Sequence, residues 1–513
     1  MRPAAFPEHL VILGGGSAGW MSAAYLDRTF NRPGDRRLRI TVVESEAIGR
    51  IGVGEATIPS IRDFARFIGI DEATLMARTS ATFKHGVEFE DWSAVGEKCF
   101  HPFEALDTAM GMNAGPSWLA RWSQGIAGSF ADEAGIQGRL ARAGLSPKRL
   151  IDADYSSVLP YAYHLDAEAY GDLLAEIARA RGVERVVGEV VRVRQKDGHI
   201  LGLDLGDGTT VDGDLFLDCS GFNALLLDKA LKSPFLSYAD HLLCDRAVAI
   251  RAPLDPETPI PPMTRARALS AGWMWRIGLQ NREGLGYVYS SAHLKPAEAE
   301  AELRAAVGLA DDVPARHLTM RIGRAEKAWT GNVIALGLAG GFIEPLESTG
   351  LHMVEYGLEM LVRYFPLSGV NPDARDRFNN VVGQHYDGLR DFISAHYGLS
   401  GRRDTPFWQA ATSPEHMPPR VGALLGLWAD RHPSAEDISL QRPLFGHASW
   451  QHILYGIGKP GAAAAANAAR WVAQPGAHLP HLEKACADIT ENLPSHTLWL
   501  EGLATLPVQR DGW

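Results

Sequence analysis

The sequence has few cysteines and no long uninterrupted apolar segment. No two of its cysteines have the CxxC spacing, and they lie far apart in the 513 residues, at Cys99, Cys219, Cys244 and Cys486. Thiols so dispersed predict neither a disulfide framework nor a zinc site, so no metal is expected and a reducing cytoplasm is the expected location. The first apolar segment, "HLVILGGGSAG", breaks at glycines after a few residues. It therefore predicts neither a membrane span nor a signal peptide.

An excess of basic residues is absent as well. The formal net charge is −11, so nucleic acid is not expected as a partner, because no cationic surface is available to displace counterions from phosphates. Hydrophobic residues make up 46% of the chain and charged residues 22%, which is typical of a globular protein. A chain of this length exceeds one small core. We predict two intertwined parts, residues 1–355 with inserted sheet and substrate elements and a mainly helical segment 356–513.

The amino-terminal pattern predicts a parallel sheet. A short apolar strand, "LVIL" (10–13), is followed by a glycine turn, a helical segment and a second strand, "RITVVES" (39–45). This order is a βαβ unit and indicates an α/β fold. Alternation and Asp-Gly turns in 186–221 predict hairpins that lead back into the sheet, and 331–341 predicts a further buried strand and glycine turn. Residues 55–90 are predicted as helix and loop.

The glycine turn fits the pattern GxGxxG through Gly14, Gly16 and Gly19. The first glycine permits a tight turn, the second lets the backbone approach a pyrophosphate, and the third lets the helix pack on the strand. Glu44 ends the second strand, where an acid that binds a ribose is expected. Glycine turns alone are common, but this context predicts a dinucleotide site. Distant glycine strands at 214–221 and 331–341 favour FAD over NAD, and no second GxGxxG is evident, so the flavin would be reduced elsewhere.

Short segments throughout the chain resemble the flavin-dependent halogenase family, often called tryptophan halogenases. The segments are "GGGSAGW" (14–20), "GVGEATIPSI" (52–61), "FKHG" (83–86), "HPF" (101–103), "GWMWRIGL" (272–279), "GYVYSS" (286–291) and "GFIEPLESTG" (341–350). The WxWxI pattern separates this family from flavin hydroxylases. The resemblance implies a Rossmann-type FAD module, like that of glutathione reductase and the hydroxylases, with a largely helical carboxyl-terminal part on the substrate side.

The resemblance also implies a reaction. FADH2 from a separate reductase would react with O2 and a halide, chloride or bromide, to give hypohalous acid. This acid would pass through a tunnel to Lys84 and halogenate a small aromatic substrate, and a homodimer is compatible with the family. Lys84 would hydrogen-bond the hypohalous acid as an ammonium or form a haloamine; taken alone, it could be a surface lysine beside a helix end.

The segment "EPLESTG" carries the second group of implied residues. Glu347 would lie by the substrate, where it stabilises the cationic ring adduct, removes its proton or orients hypohalous acid. Glu344 is as readily a turn or cap acid as a functional group, and Ser348 is as readily an N-cap. The full set of implied site residues beyond Lys84 and Glu347 comprises FAD contacts at Gly14, Gly16, Ser17, Ala18, Gly19, Glu44, Ala56, Thr57, Gly337 and Leu338, a halide site at Thr349 and Gly350, and substrate or wall residues His101, Phe103, Trp273 and Trp275.

Trp273 and Trp275 are spaced by two, so they are expected on one face of a strand. They are either a core pair or a wall that separates the flavin from the substrate. Two departures from the family pattern concern the substrate: Gly278 replaces the proline of WxWxIP, and 434–458 lacks the Tyr-Tyr and acidic clamp for free tryptophan. Gly278 is expected to free the backbone there. Indole, a peptide-bound tryptophan or another electron-rich arene is therefore expected, with an aromatic monooxygenase or a non-catalytic flavin-binding protein as alternatives.

Overall fold

The computed structural model describes residues 6–46, 54–105, 114–438, 442–503, 505 and 506. Within these ranges, strands dominate the middle of the chain and helices its carboxyl-terminal third. The strands are β1 (His9–Leu13), β2 (Asn31–Arg32), β3 (Asp35–Arg36), β4 (Arg39–Glu44), β5 (Gly54–Ala56), β6 (Thr82–Lys84), β7 (Gly86–Glu90), β8 (Lys98–Pro102), β9 (Ala162–Asp166), β10 (Glu184–Val187), β11 (Val190–Lys196), β12 (His199–Leu205), β13 (Thr210–Asp212), β14 (Leu215–Asp218), β15 (Phe235–Ser237), β16 (Arg246–Ala252), β17 (Thr264–Leu269), β18 (Gly272–Gly278), β19 (Glu283–Tyr289), β20 (Ala315–Thr319), β21 (Gly323–Ala325), β22 (Trp329–Thr330), β23 (Val333–Ala335) and β24 (Gly341–Phe342). The α-helices are α1 (Ser17–Phe30), α2 (Ser60–Ile68), α3 (Glu72–Arg78), α4 (Ala114–Ser123), α5 (Phe130–Ala134), α6 (Gln137–Arg142), α7 (Ala167–Ala180), α8 (Pro296–Val307), α9 (Gly350–Arg363), α10 (Pro372–Leu399), α11 (Pro406–Ala411), α12 (Pro419–Leu427), α13 (His447–Gly456), α14 (Ala462–Trp471), α15 (Leu479–Thr490) and α16 (His496–Leu503).

A six-stranded sheet carries the amino-terminal glycine turn. Its order is β10–β4–β1–β14–β23–β22, parallel from β10 to β23 with β22 antiparallel at the edge. Residues 10–13 of β1 are all buried, as expected for a parallel strand that is covered on both faces. The predicted βαβ unit is therefore confirmed. The predicted hairpins are also confirmed, because β11, β12 and β13 pair antiparallel before β14 returns to this sheet.

Two further sheets hold the other motif residues. A seven-stranded sheet has the order β20–β16–β19–β18–β17–β7–β8 and is antiparallel except between β17 and β7. A small antiparallel sheet, β5–β9–β6, pairs Lys84 with Ala162. The prediction of helix and loop for 55–90 is wrong at β5, β6 and β7. β5 and β6 pair with β9, and β7 pairs with β17 as well as with its neighbour β8, so pairing with strands far away in sequence outweighs the local pattern.

Helices make up the carboxyl-terminal part, as predicted. Among the described residues, the last strand ends at Phe342, and α9 follows shortly after it. The proline-rich segment "EHMPPR" (415–420) leads into α12, and Pro419 is the first residue of this helix. The largest hydrophobic cluster extends from Leu10 to Leu503, so residues of both predicted parts share one core. The division at residue 355 itself stays a prediction. Within the described ranges, no helix is both long enough and apolar enough to cross a membrane.

Candidate active site

The glycines of the turn between β1 and α1 differ in the space beside their Cα atoms. A Cβ at Gly14, which has φ +120°, would lie 2.2 Å from the Cys219 carbonyl oxygen, and a Cβ at Gly19 would lie 1.9 Å from that of Gly14. A Cβ at Gly16 would meet nothing within 4 Å. The first and third glycines thus allow close packing, whereas the second leaves open space beside the start of α1. Within the described ranges, no side chain caps α1, so the start of this helix can hold an anionic group through its N–H groups, and the turn fits a dinucleotide pyrophosphate.

Several of the other predicted cofactor contacts lie around this turn. Gly337 has φ +62°, and a Cβ there would lie 2.7 Å from Ala18 Cβ, so the turn before Leu338 packs on the start of α1. Ser17 Oγ donates to the Ala167 carbonyl. Glu44 is buried over the glycine turn and forms an ion pair with Arg185.

Ala56 and Thr57 connect the predicted cofactor region to Lys84. Ala56 ends β5, and the Thr57 backbone N–H donates to the Tyr163 carbonyl, 2.9 Å away. The Thr57 carbonyl accepts a 3.0 Å hydrogen bond from Lys84 Nζ. A residue predicted for the cofactor therefore also holds the predicted catalytic amine.

Lys84 is fully buried on strand β6, so it is not a surface lysine beside a helix end. Its Nζ donates to Ser348 Oγ at 2.7 Å and lies 5.1 Å from the centre of the Phe103 ring. Burial lowers the pKa of Lys84 to about 7, although the negative charge of Glu347 acts in the opposite direction. Near neutral pH this amine can therefore exist in both the ammonium and the free-amine form.

Glu347 is buried between two histidines. Its Oε1 accepts hydrogen bonds from His101 Nδ1 at 2.8 Å and from His396 Nε2 at 2.9 Å. Burial alone would raise the pKa of Glu347, but the two histidines hold it at about 2. The other ring nitrogen of His396, Nδ1, lies 2.8 Å from the Phe392 carbonyl oxygen, which can only accept, so Nδ1 carries a hydrogen. The contact between His396 Nε2 and the Glu347 carboxylate needs a hydrogen of its own.

The turn that contains both acids differs from the predicted capping device. Ser348 has φ +61° and lies before α9, so it is not the N-cap; its hydroxyl instead accepts the Lys84 hydrogen bond. Thr349 occupies the N-cap position without a side-chain capping bond. A Cβ at Gly350 would meet nothing within 4 Å. An uncapped helix start beside open space fits the predicted halide site.

The two tryptophans of β18 lie on one face, as their spacing predicts. Their ring centres are 6.2 Å apart, and both rings are buried. Trp273 Nε1 donates to Glu344 Oε2 at 2.8 Å, whereas Trp275 Nε1 has no hydrogen-bond partner in the part of the chain that the structure describes. Glu344 is buried and stands at the N-cap position of the short turn 345–347, but its side chain bonds Trp273 and makes no capping bond.

Gly278 follows the tryptophans and lies at a closely packed position. Its φ lies outside the left-handed region, and a Cβ there would lie 2.5 Å from Ile260 Cγ2. Its carbonyl accepts a 2.6 Å hydrogen bond from Thr82 Oγ1. The space beside Gly278 is filled by Ile260, and the expectation that glycine frees the backbone at this position stays a prediction.

Residues of the carboxyl-terminal helices complete the surroundings of His101. Its ring centre lies 5.9 Å from that of Phe392, 6.1 Å from Phe445 and 5.8 Å from His452. Sequence reasoning missed these residues and His396. They come from α10, from α13 and from the chain just before α13, and no local pattern marks a residue that reaches the site through long-range packing.

Comparison with known proteins identifies the family. The sequence model of the family described as "Tryptophan halogenase" matches residues 9–470. The chain belongs to the tryptophan halogenase family. It is 39% identical over 526 residues to the 7-chloro-L-tryptophan 6-halogenase KtzR of Kutzneria sp. (strain 744), covering 97% of this chain and 100% of that relative. These figures extend the family resemblance from short motifs to the whole length.

Solved halogenase structures also resemble this family member. The crystal structure of the tryptophan 6-halogenase SttH from Streptomyces toxytricini matches with a TM-score of 0.90 and 37% identity, covering 96% of this chain and 100% of that one. BrvH, a flavin-dependent halogenase from Brevundimonas sp. BAL3, matches with a TM-score of 0.85 and 36% identity over 97% and 99% of the two chains. The predicted α/β fold and the predicted class of enzyme, a flavin-dependent halogenase that uses FAD with halide and O2, are confirmed. The roles of individual residues stay predictions.

Proposed function

We propose that this halogenase attaches chloride- or bromide-derived halogen to indole or another electron-rich arene, with Lys84 and Glu347 as its catalytic residues. The observation that carries the proposal is that a buried amine bonds the short turn that also holds a buried carboxylate. Lys84 Nζ donates to Ser348, the residue next to Glu347. Both side chains are almost completely shielded from solvent, so their electrostatic effects are strong.

The residues around the glycine turn would hold the cofactor. The open space at Gly16, the uncapped start of α1 and the turn at Gly337 would bind FAD. When bound in its reduced form, this cofactor supplies the electrons with which O2 and halide give hypohalous acid. The uncapped start of α9 at Thr349 and Gly350 would hold the halide through backbone N–H groups.

Lys84 would present hypohalous acid to the substrate. As an ammonium, its Nζ donates a hydrogen bond to the oxygen of the acid and makes the halogen more electrophilic. As a free amine, it forms a haloamine instead. The lowered pKa of Lys84 leaves both forms populated near neutral pH.

Glu347 would act on the ring. The ring carbon attacks the halogen, the oxygen of hypohalous acid takes a proton from the Lys84 ammonium and leaves as water, and the ring carbon then loses its proton. Glu347 Oε1 is bonded to His101 and His396, so Oε2 would be the atom that receives the proton of the cationic ring adduct. The low pKa of Glu347 keeps this carboxylate negative while the adduct is positive.

The substrate proposal rests on the surroundings of His101. Where members that act on free tryptophan carry a clamp for the amino-acid head, 434–458 here supplies Phe445 and His452 to the His101 ring. Residues 439–441 of this segment lie outside the described residues. Rings and apolar side chains recognise a flat arene by its faces. This supports indole, a tryptophan within a peptide or a similar arene over free tryptophan.

A separate flavin reductase would supply the reduced cofactor, since the sequence contains no second dinucleotide motif. A cytoplasmic location is proposed because all four cysteines are free thiols. A homodimer is compatible with the family, and light scattering after size-exclusion chromatography distinguishes it from a monomer.

The experiment that tests the proposal is a reconstituted reaction. The purified chain is combined with FAD, an unrelated NADH-driven flavin reductase, O2, bromide and indole, and the products are analysed by mass spectrometry. We expect bromoindole, recognised by the paired isotope pattern of bromine. A control without the halogenase excludes uncatalysed bromination. If indole, phenols and a tryptophan-containing peptide all stay unmodified with bromide and with chloride, the proposed substrate class is wrong.

A further inference from the structure

The first acid of "EPLESTG" has no role in the proposed reaction, yet it is completely buried. Glu344 Oε2 accepts hydrogen bonds from Trp273 Nε1 and from the Tyr397 hydroxyl, both at 2.8 Å. Its Oε1 has no hydrogen-bond partner among the described residues. Burying a carboxylate oxygen without a hydrogen-bond partner costs free energy. The two hydrogen bonds to the other oxygen offset part of this cost, and they fix the arrangement of the groups that donate them.

One of the two hydrogen bonds to Glu344 comes from Tyr397, which is itself held firmly in place. The Tyr397 hydroxyl proton goes to Glu344, and the Tyr397 oxygen lies 3.5 Å from Cys244 Sγ. The Tyr397 ring packs against the rings of Trp92 and Trp408 at centre distances of 5.3 and 5.9 Å. Tyr397 therefore holds Glu344 in place from a dense aromatic core.

The other hydrogen bond to Glu344 comes from the tryptophan pair of β18. Trp273 and Trp275 share one face, but only Trp273 has its indole N–H bonded, to Glu344. A buried ring without a polar partner is oriented by packing alone, whereas a ring bonded at Nε1 cannot turn over without breaking that bond. Glu344 thus fixes the plane of one ring of the pair.

We propose that Glu344 is a positioning residue that fixes the plane of Trp273 and thereby prevents loss of hypohalous acid between the cofactor side and the substrate side. This inference rests on the proposed function and on the expectation that the two tryptophans form a wall between the flavin and the substrate. The two acids of one turn then have separate tasks: Glu347 acts on the substrate, and Glu344 maintains the barrier. Glu344 touches neither the substrate nor the reacting atoms.

The consequence concerns the fate of the oxidant rather than substrate binding. If the Trp273 ring turns, hypohalous acid has an additional exit and a smaller share of it reaches the arene. The amount of product per reduced flavin should fall while the amount of escaping oxidant rises. The KM for the arene should change little, because the residues that bond Glu344, Trp273 and Tyr397, are not those whose rings surround His101.

The test compares Glu344→Met with Glu344→Gln in single turnovers. Excess enzyme with a limiting amount of FADH2 is mixed with O2, bromide and indole; bromoindole is measured by mass spectrometry and escaping hypobromous acid with a thioether trap. Methionine fills similar space but accepts no hydrogen bond from Trp273, so we expect a severalfold loss of product per FADH2 and a matching gain in trapped oxidant. Glutamine retains an oxygen acceptor and should retain the wild-type yield.

A double-mutant cycle provides the matched control. Trp273→Phe removes the N–H that Glu344 bonds, so Glu344→Met should add no further loss in that background. Trp275→Phe removes an N–H that bonds nothing, so its effect and that of Glu344→Met should add independently. Should Glu344→Met fail to fold, Trp273→Phe alone must reproduce the loss of product per FADH2.

A second readout needs neither cofactor nor turnover. The protein is labelled with 5-fluorotryptophan, and the Trp273 resonance is assigned as the ¹⁹F signal absent from Trp273→Phe. This signal should shift or broaden in Glu344→Met and stay in place in Glu344→Gln. An unchanged Trp273 signal in Glu344→Met, or an unchanged yield in a folded Glu344→Met protein, overturns the inference. Absence of bromoindole from the wild type would instead contradict the proposed function, and the ¹⁹F comparison would still decide whether Glu344 fixes Trp273.

Discussion

At the scale of single residues, this halogenase places ionisable groups where water cannot stabilise their charges. Lys84 and Glu347 are both buried, yet their pKa values shift in ways that serve different tasks. The lysine has no close carboxylate partner and moves toward neutrality, whereas the carboxylate has two histidine partners and stays charged. The balance between desolvation and direct partners therefore decides each protonation state.

Replacing Lys84 by alanine tests the catalytic role directly. Lys84→Ala should reduce bromoindole formation by at least about 100-fold, because a positioned proton donor or amine nucleophile is lost. FAD binding, measured by flavin fluorescence, should be unchanged, because Lys84 lies outside the glycine turn. Product formation at the wild-type rate in this variant would contradict the proposed mechanism.

The lowered pKa of Lys84 also predicts a pH-dependent cost to stability. Between about 7 and the ordinary value of 10.5, the folded state binds fewer protons than the unfolded state, so stability rises with pH across this window. Lys84→Met removes the group. The variant should be more stable than the wild type by up to a few kcal/mol near pH 7 and below, with a gain that shrinks toward pH 10.

Thermal unfolding midpoints of both proteins, measured from pH 6 to pH 10, check this expectation. Lys84→Ala, which also leaves a cavity, serves as the comparison for lost packing. A difference between wild type and Lys84→Met that stays constant over the whole range would show that Lys84 titrates normally.

At the scale of elements, strand β18 and the "EPLESTG" turn impose most of the geometry. β18 presents both tryptophans on one face and ends at Gly278, where Ile260 fills the space beside the backbone. The turn connects a two-residue strand to α9 and aims its two acids in different directions. Small changes in either element should therefore have effects well beyond their own residues.

Gly278→Ala tests the packing at the end of β18. The added Cβ would lie 2.5 Å from Ile260 Cγ2, so the variant should be destabilised by about 1–3 kcal/mol. Ile260→Ala removes the atom that is approached, and Gly278→Ala should be far less harmful in that background. Denaturant midpoints of the single and double variants measure this, and equal costs in both backgrounds would contradict the packing explanation.

The raised pKa of Glu344, the acid that bonds Trp273, predicts a second effect of pH on stability. Burial raises the pKa of Glu344 to about 7 from its ordinary value of 4.5, against the lowering effect of the Trp273 and Tyr397 hydrogen bonds. The folded state then binds more protons than the unfolded state between these values, so stability falls as pH rises from about 4.5 to 7. Glu344→Gln should abolish this fall, which amounts to about 3 kcal/mol.

Denaturant midpoints between pH 4.5 and pH 8 give the comparison. The difference between Glu344→Gln and wild type should move in favour of the variant as pH rises through this window. A difference that does not change with pH would mean that Glu344 is ionised throughout.

At the scale of the whole molecule, sequence reasoning predicted the architecture better than the site. The βαβ unit, the hairpins and the helical carboxyl-terminal part follow from local periodicity and turn residues. Lys84 was expected outside a strand because β6 exists only through pairing with β9. The partnership of Glu347 with His396 joins residues 49 positions apart, and a single sequence contains no signal for such a contact.

The shared core predicts that the two parts of the chain cannot fold separately. The largest hydrophobic cluster contains residues from both sides of position 355. Expressed alone, segment 356–513 should lack a cooperative thermal transition by circular dichroism, because its apolar side chains in the shared core would face water. The full chain is the control, and a sharp transition of the isolated segment would show that it is an independent domain.

Neighbouring residues near the end of helix α10 have a consequence for engineering. His396 bonds Glu347 and Tyr397 bonds Glu344, so one helical turn determines the positions of both acids. A library that enlarges the arene pocket by altering this turn would also change how well the enzyme retains its oxidant. Broader substrate range and oxidative self-damage should then emerge together in the same variants. Selection for new substrates is therefore better directed at the α13 side of His101, away from α10.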